Sequence, residues 1–162
     1  MPGPELEFPV DEEEYKRAGS KFITFPPEAK VGDVQFRAVE VGMIDWDTPG
    51  KSMKCPVKVT EEGVDFGKEG KISFGVDSKG VWKAKEIYTA VTGQEMLMKQ
   101  GADGKKHPYI DPMTLVGKPA VGCWVLQKGY KGGDPTLGET IYPKLVSIHP
   151  AGYKPIVSSL GI

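Results

Sequence analysis

The stretch ISFGVDSKGVWKAKEIYTAVTG at residues 72–93 decides the fold, because the spacing of its apolar residues changes midway. Ile72, Phe74 and Val76 alternate with small or polar residues, which is typical of a half-buried strand. Farther along, apolar residues recur at helical spacing and lysines occupy the other side. Gly93 is well placed to end that helix, because glycine readily adopts the left-handed conformation found at helix C-termini. The stretch therefore predicts a strand followed by a helix.

A strand is also predicted farther upstream. Val34, Phe36 and Ala38 alternate with polar residues, and the apolar pattern continues through Val39 and Val41 after a slip of one residue. Such a slip is typical of a β-bulge, so we expect one in this strand.

A second upstream strand follows the turn at residues 47–50. Met53, Cys55, Val57 and Val59 alternate with lysines or proline. Pro56 has no backbone N–H to donate, which favours an edge position or a bulge for this strand.

After the helix, the sequence predicts a long polar loop and two more strands. The loop covers residues 94–112, the strands cover residues 120–126 and 140–148, and a turn at residues 129–138 joins them. Three strands, a helix and two strands is the order of the oligonucleotide/oligosaccharide-binding (OB) fold. We therefore expect a mainly β protein, a five-stranded OB-type barrel with one helix between strands 3 and 4. Another small barrel, or a sandwich with one helix, remains an alternative.

Composition and charge divide the chain into three segments. Residues 1–20 form an acidic segment with little apolar surface, expected to be a flexible N-terminal arm. Residues 21–150 form the barrel domain, and residues 151–162 form a C-terminal extension. Residues 1–19 carry a net charge of −4, which leaves +3 on the rest of the chain. That charge permits nucleic-acid binding but is low for a dedicated duplex binder.

The two cysteines and the absence of targeting signals predict a cytoplasmic protein. Cys55 and Cys123 both lie in apolar strand-like runs, so we interpret them as buried thiols of a reducing compartment. No run of 18 apolar residues and no basic-then-apolar leader occur in the sequence. The expected compartment is the cytoplasm, or the host cytoplasm for a phage-encoded protein.

Catalytic and metal-binding patterns are nearly absent from the sequence. His107 and His149 each precede a proline and have no neighbouring cysteine or histidine at metal-ligand spacing. The Gly50-Lys51-Ser52 triplet lacks the upstream glycine and the strand context of a phosphate-binding loop. We therefore predict no catalytic residue, no metal site and no cofactor.

Aromatic residues are interleaved with cations in the barrel region. Single-stranded nucleic acid requires this mixture, because rings stack on unpaired bases and cations track the phosphates. Phe36, Phe74 and Trp124 are assigned to the core from their place in apolar patterns, whereas Trp46 and Tyr130 lie in charged turns. The predicted nucleic-acid contacts are Arg37, Trp46, Lys51, Lys54, Lys58, Lys71, Trp82, Lys83, Lys128, Tyr130 and Lys131.

The layout resembles the phage and prophage single-stranded-DNA-binding proteins, including an uncharacterised-domain family encoded beside recombination and replication genes. The resemblance rests on the order of three stretches: residues 36–41 followed by 50–53; the helix of residues 82–93; and residues 111–118, which lead into a strand, then residues 129–132 and a strand that ends at residues 146–150. It implies coating of single strands during replication or recombination. Many such proteins carry an acidic C-terminal tail that recruits partners, whereas the acidic segment here is N-terminal.

The sequence thus favours a non-enzymatic single-stranded-DNA-binding protein of phage-type replication or recombination. Replication or recombination proteins and a second copy of the chain are further candidate partners, and no membrane partner is expected. The alternative is a non-enzymatic protein-interaction or virion structural module on the same barrel, which the near-neutral net charge favours.

Overall fold

A computed structural model describes residues 5–9, 11–12 and 22–154 of the chain. The protein is mainly β, with open antiparallel sheets and one fully described helix. Most of the predicted arm, and residues 155–162 of the predicted extension, lie outside the described residues. Residues 5–9 and 11–12 are exposed, whereas Ile23 is buried in the core, so the packed domain includes residues from about 22 onward.

Eight strands and one α-helix follow one another along the described chain. The strands are β1 (Val34–Val41), β2 (Asp45–Thr48), β3 (Ser52–Val59), β4 (Glu69–Gly75), β5 (Leu97–Gln100), β6 (Lys106–Tyr109), β7 (Pro119–Tyr130) and β8 (Glu139–Pro150). The helix α1 covers Ser78–Thr92, between β4 and β5.

The main sheet has six strands, and β3 pairs with three of them. One edge of β3 pairs with β4, and the other is shared by β1 and β2; β1 also pairs with β7, and β7 with β8. Within the described residues β4 and β8 form no pairing, so the sheet stays open between them. The expected closed barrel is therefore not confirmed.

The faces of β1 differ from the prediction. Its register against β7 runs without a shift from Val34 to Glu40, so the predicted bulge in this strand is wrong. The core face carries Val39 and Val41, which are at most 1% exposed. Phe36 points to the opposite face, where its ring lies about 6 Å from those of His149 and Tyr153. The assignment of Phe36 to the core is therefore wrong.

Pro56 lies where β3 changes partner. The backbone N–H of Gly42 donates to the Pro56 carbonyl at 2.8 Å, in the gap between the end of β1 and the start of β2. Because the N–H and C=O of a strand residue point the same way, the missing donor of Pro56 faces this gap. The proline is therefore tolerated inside the sheet without an edge position.

The predicted helix and its end at Gly93 are confirmed. Asp77 accepts a hydrogen bond from the Gly80 N–H at 2.8 Å, which caps the N-terminus. Gly93 ends the helix in the left-handed conformation, with its N–H bonded to the Thr89 carbonyl. A Cβ at Gly80 would lie 1.6 Å from the carbonyl oxygen of Gly75, so only glycine lets the helix start this close to β4.

The predicted loop at residues 94–112 instead contains a hairpin, β5–β6. Its strands pair from Leu97 with Tyr109 to Gln100 with Lys106, and every residue of both strands is exposed. With no buried face, the hairpin has no apolar alternation for a sequence pattern to detect.

The hairpin formed by β7 and β8 is longer than predicted. Its pairing runs from Ala120 with Pro150 to Tyr130 with Glu139, beyond the reach of β1, whose pairing with β7 ends at Val125. Residues 127–130 and 139–142 therefore project as a two-stranded extension, which we call the β7–β8 ribbon.

The predicted core residues Phe74 and Trp124 are confirmed as buried. Cys55 and Cys123 are confirmed as buried free thiols. Burial raises the pKa of the Cys55 thiol to about 12. Burial also raises the pKa of Cys123, against a smaller opposing effect of its hydrogen bond with Ser147.

Candidate nucleic-acid interface

A groove runs along the opening between β4 and β8. It consists of two adjoining cavities of about 560 and 440 Å³ that share Lys71, Tyr142, Lys144 and Leu145 in their walls. Lys54 borders the first cavity and Lys83 borders the second. We call this feature, with its four lysines and Tyr142, the seam groove.

Two of the four lysines have no carboxylate within ion-pair distance among the described residues. These are Lys54 on β3 and Lys144 on β8. Lys71 binds Asp47 at 3.1 Å, and Lys83 binds Glu86 at 3.2 Å. Because both of these pairs are partly solvent-exposed, an incoming phosphate can compete for the ammonium groups.

The alternation of β4 explains how its part of the groove forms. Ile72 and Phe74 face the core, which turns Lys71 and Ser73 to the other side of the strand. Both of these side chains bond Asp47 of the neighbouring β2–β3 hairpin, at 3.1 and 2.9 Å. These hydrogen bonds, that of Lys71 first, lower the pKa of Asp47 below its ordinary value.

The β8 side of the groove contains residues that the sequence analysis missed. Lys144 and Tyr142 line both cavities, although neither was among the predicted contacts. A bulge lies beside them: Cys123 pairs with Ser147 and Trp124 pairs with Leu145, so one residue of β8 is unpaired. The Tyr-Pro-Lys run at residues 142–144 places an aromatic residue close to a lysine, which is the same pattern from which the other nucleic-acid contacts were predicted.

Gly70 provides room for the groove's inner wall. A Cβ at this position would lie 3.1 Å from Cζ2 of Trp124, whose ring borders the groove and is only 3% exposed. The absence of a side chain at Gly70 therefore lets β4 approach the indole ring closely.

Other predicted contacts lie outside the seam groove. Trp46 and Lys51 belong to the β2–β3 hairpin, and the Trp46 side chain is 42% exposed. Lys58 is exposed on β3 opposite Glu69. Trp82 is 66% exposed on α1, with the Lys85 ammonium 5.7 Å from its ring centre.

Three further predicted contacts lie on or next to the β7–β8 ribbon. Lys128 is exposed and bonds Glu139 across the hairpin at 3.4 Å. Tyr130, the last residue of β7, is 49% exposed, and Lys131 begins the following turn. The structure therefore gathers Lys54, Lys71 and Lys83 in one groove but leaves the ribbon residues and Trp82 apart from it.

Arg37, one of the predicted nucleic-acid contacts, is part of a structural ion-pair network. Its Nε donates to Asp65 at 3.2 Å, and its other nitrogens donate to Gln35, to the Phe36 carbonyl and to the Thr24 carbonyl. Its side chain is only 18% exposed. The prediction of Arg37 as a phosphate contact is therefore not supported, because most of its donors are already engaged with protein acceptors.

Asp65 is the centre of that network. Its buried carboxylate accepts hydrogen bonds from Thr24 N, Thr24 Oγ1 and Arg37 Nε, and it pairs with Lys68 at 3.0 Å. Burial alone would raise the pKa of Asp65, but the bonds from Lys68 and Thr24 outweigh it and hold the pKa below its ordinary value.

Ser147 and His149 form a pair on the outer face of β8. Ser147 Oγ lies 2.8 Å from His149 Nε2, as a nucleophile lies beside its base. The imidazole stacks on the Tyr153 ring, with 4.1 Å between the ring centres. Burial is the main cause that lowers the pKa of His149, and the charge of Lys83 lowers it further. Among the described residues no carboxylate bonds the other ring nitrogen, so the orienting group of a catalytic triad is missing.

In the described ranges, no three His, Cys, Asp or Glu side chains converge as metal ligands would. None of the described helices has the length and apolar composition that spanning a bilayer requires. No family model, curated protein or solved structure shows significant similarity to the chain.

Proposed function

We propose that the chain is a single-stranded-DNA-binding protein of phage-type replication or recombination, built on an open variant of the OB fold. In an OB fold, strands 1 to 3 form a meander, strand 1 also pairs with strand 4, and strand 4 pairs with strand 5. The order β4-β3-β1-β7-β8 corresponds to this scheme when β1 and β2 are counted as one bent strand. The helix then lies between strands 3 and 4, as in that fold.

The seam groove is the observation that carries the proposal. It places four lysines and a tyrosine along a cleft, a chemistry that suits a flexible polyanion with exposed bases. A rigid duplex offers no free base faces for Tyr142 to stack on, so single strands are the preferred ligand.

The two loops that OB folds use most for binding support the same proposal. The loop between strands 1 and 2 corresponds to the β2–β3 turn, which contains Lys51 and follows the strand that carries Trp46, and the loop between strands 4 and 5 corresponds to the tip of the β7–β8 ribbon. Tyr130 and Lys131 lie at that tip. Three of the predicted contacts outside the groove, Lys51, Tyr130 and Lys131, thus lie at these two loops.

The test is a fluorescence titration with an oligo-dT strand and with a duplex of the same length, at about 50 and 200 mM salt. We expect tighter binding of the single strand, a fall in affinity with salt, and quenching of tryptophan emission where bases stack. Equal affinity for the two ligands, or no binding at the lower salt concentration, would contradict the proposal.

Two buried free thiols support a reducing compartment, and we propose the cytoplasm, or the host cytoplasm for a phage-encoded chain.

A second function, a protein-interaction or virion structural module, is favoured by one observation. Leu97, Met98 and Met113 are more than half exposed on or near the β5–β6 hairpin. Sedimentation at several concentrations, combined with the oligo-dT titration, distinguishes this function, because a structural module self-associates but does not bind the DNA strand.

A further inference from the structure

A second cleft, which shares no lining residue with the seam groove, opens between the β2–β3 hairpin, α1 and the β5–β6 hairpin. Its volume is about 390 Å³, at the small end of the range typical of ligand sites. Trp46 lines it from β2, and His107 and Tyr109 line it from β6. We call it the Trp46 cleft.

The walls of the Trp46 cleft are suited to a flat apolar ligand. Trp46 and Tyr109 are 42% and 39% exposed, so each ring presents accessible surface. Behind them are mainly apolar side chains: Met53, Phe74, Val81, Ala84 and Met96. An aromatic ligand that enters stacks on rings and displaces water from apolar surface.

Two polar groups border the cleft and can bond the edge of such a ligand. Asp45 presents a carboxylate that also accepts from the Trp46 N–H at 2.7 Å. His107 presents an imidazole whose Nε2 lies 2.9 Å from Asp103. A nucleobase carries donors and acceptors on its edge and a π system on its faces, which matches this combination.

Cations flank the cleft and point to a ligand that also carries phosphate. The β5–β6 hairpin has Lys99, Lys105 and Lys106, none of which forms an ion pair with a described carboxylate. Its single acidic residue, Asp103, is engaged with His107. On the other side, the Lys51 carbonyl accepts from the N–H of Val76, a lining residue, so Lys51 lies next to the cleft.

We propose that the Trp46 cleft holds one unstacked base of a bound DNA single strand, with the hairpin lysines on the neighbouring phosphates. This inference rests on the proposed function and adds to it a specific base-binding site. In this proposal the β5–β6 hairpin, which precedes β7 in the chain, holds the bound DNA strand from one side.

The test compares an oligo-dT strand with a strand of the same length made of abasic residues. The two carry the same phosphates, so the ratio of their dissociation constants isolates the contribution of the bases. We expect the wild-type protein to prefer oligo-dT, and Trp46→Ala to reduce this preference by about 5- to 150-fold, the range for loss of one stacking platform. Affinity for the abasic strand should change little.

Phe66→Ala is the matched control, because Phe66 is an exposed aromatic residue that lies outside the cleft and the seam groove and is not a predicted contact. Trp46→Phe keeps a ring and should retain most of the preference, which separates stacking from misfolding. A preference that Trp46→Ala leaves unchanged overturns the cleft proposal while strand binding itself stands. If Trp46→Ala alters only self-association in sedimentation, the cleft contacts protein and the proposal is wrong; if neither strand binds, the proposed function fails as well.

Discussion

Two groups of cations among the described residues differ in what neutralises their charge. At Asp65, Arg37 and Lys68 surround one buried carboxylate. In the seam groove, Lys54 and Lys144 have no described carboxylate within ion-pair distance. A basic residue that the sequence places in a strand is thus a candidate ligand contact only where no buried carboxylate of the folded protein neutralises its charge.

The first group stabilises the fold. The Asp65 carboxylate and the Lys68 ammonium are 4% and 8% exposed, and the network joins the segment before β1 to the segment between β3 and β4. Removing one partner of such a pair leaves the others buried and uncompensated. The second group is solvated, so its lysines contribute little to stability and remain available to a ligand.

The largest expected effect follows from breaking the Asp65 network. We expect Asp65→Ala to lower the free energy of unfolding by about 3–5 kcal/mol, the cost typical of removing one partner from a buried ion pair. Urea denaturation measures it. Glu139→Gln breaks the Lys128–Glu139 pair, whose side chains are 65% and 63% exposed, and should cost less than about 1 kcal/mol. Equal losses in the two variants would refute the distinction.

The same network predicts a dependence of stability on pH. Because the pKa of folded Asp65 lies below its unfolded value, its contribution is present above the unfolded pKa of about 4 and is lost as the pH falls through the folded value. The stability difference between wild type and Asp65→Ala should therefore shrink in acid. A difference that stays constant between neutral pH and about pH 3 would exclude the linkage.

The order of the predicted elements came from apolar spacing, which the sequence displays wherever one face is buried. The misassigned face of β1 shows the limit, because Val34, Phe36 and Ala38 alternate as regularly as Val39 and Val41. Apolar alternation alone does not say which face meets the core when the strand is apolar on both. The β5–β6 hairpin was missed for the opposite reason, since neither of its faces is buried.

The candidate site was only partly predictable. The apolar alternation in the sequence indicates that Lys54 and Lys71 point away from the core, and the structure agrees, because the neighbouring residues of each strand are buried. Lys144 meets them only because β8 runs alongside β4 without pairing to it, a long-range arrangement that no local pattern records. Arg37 was misjudged because its partner Asp65 lies 28 residues away in the sequence.

The next largest effect should come from the unpaired lysines of the groove. We expect the double variant Lys54→Ala/Lys144→Ala to bind oligo-dT about tenfold more weakly, with a salt slope lower by about 1.4, since each lost phosphate contact removes about 0.7. Its unfolding free energy should change by less than about 0.5 kcal/mol, as for ordinary surface substitutions. Fluorescence titration at several salt concentrations and urea denaturation measure the two quantities.

The control for that variant is Lys30→Ala/Lys118→Ala, which removes the same charge from two exposed lysines outside the groove. It should leave the salt slope almost unchanged. An equal fall in affinity in both double variants would mean that net charge, and not the groove, attracts the strand.

The smallest expected effect tests the groove from the acidic side, at Asp47. This carboxylate bonds Lys71 and Ser73 and so holds one of the four groove lysines in a protein contact. Asp47→Asn removes the negative charge and frees the ammonium, so we expect about two- to fivefold tighter binding of oligo-dT at low salt. The gain should vanish as salt screens exposed charges, which occurs over a few hundred millimolar.

Glu28→Gln, at an exposed position outside the groove, is the matched control for Asp47→Asn. If Asp47→Asn weakens binding, the Asp47–Lys71 pair positions the lysine for its phosphate and does not compete with it; if both variants tighten binding equally, the change reports only net charge.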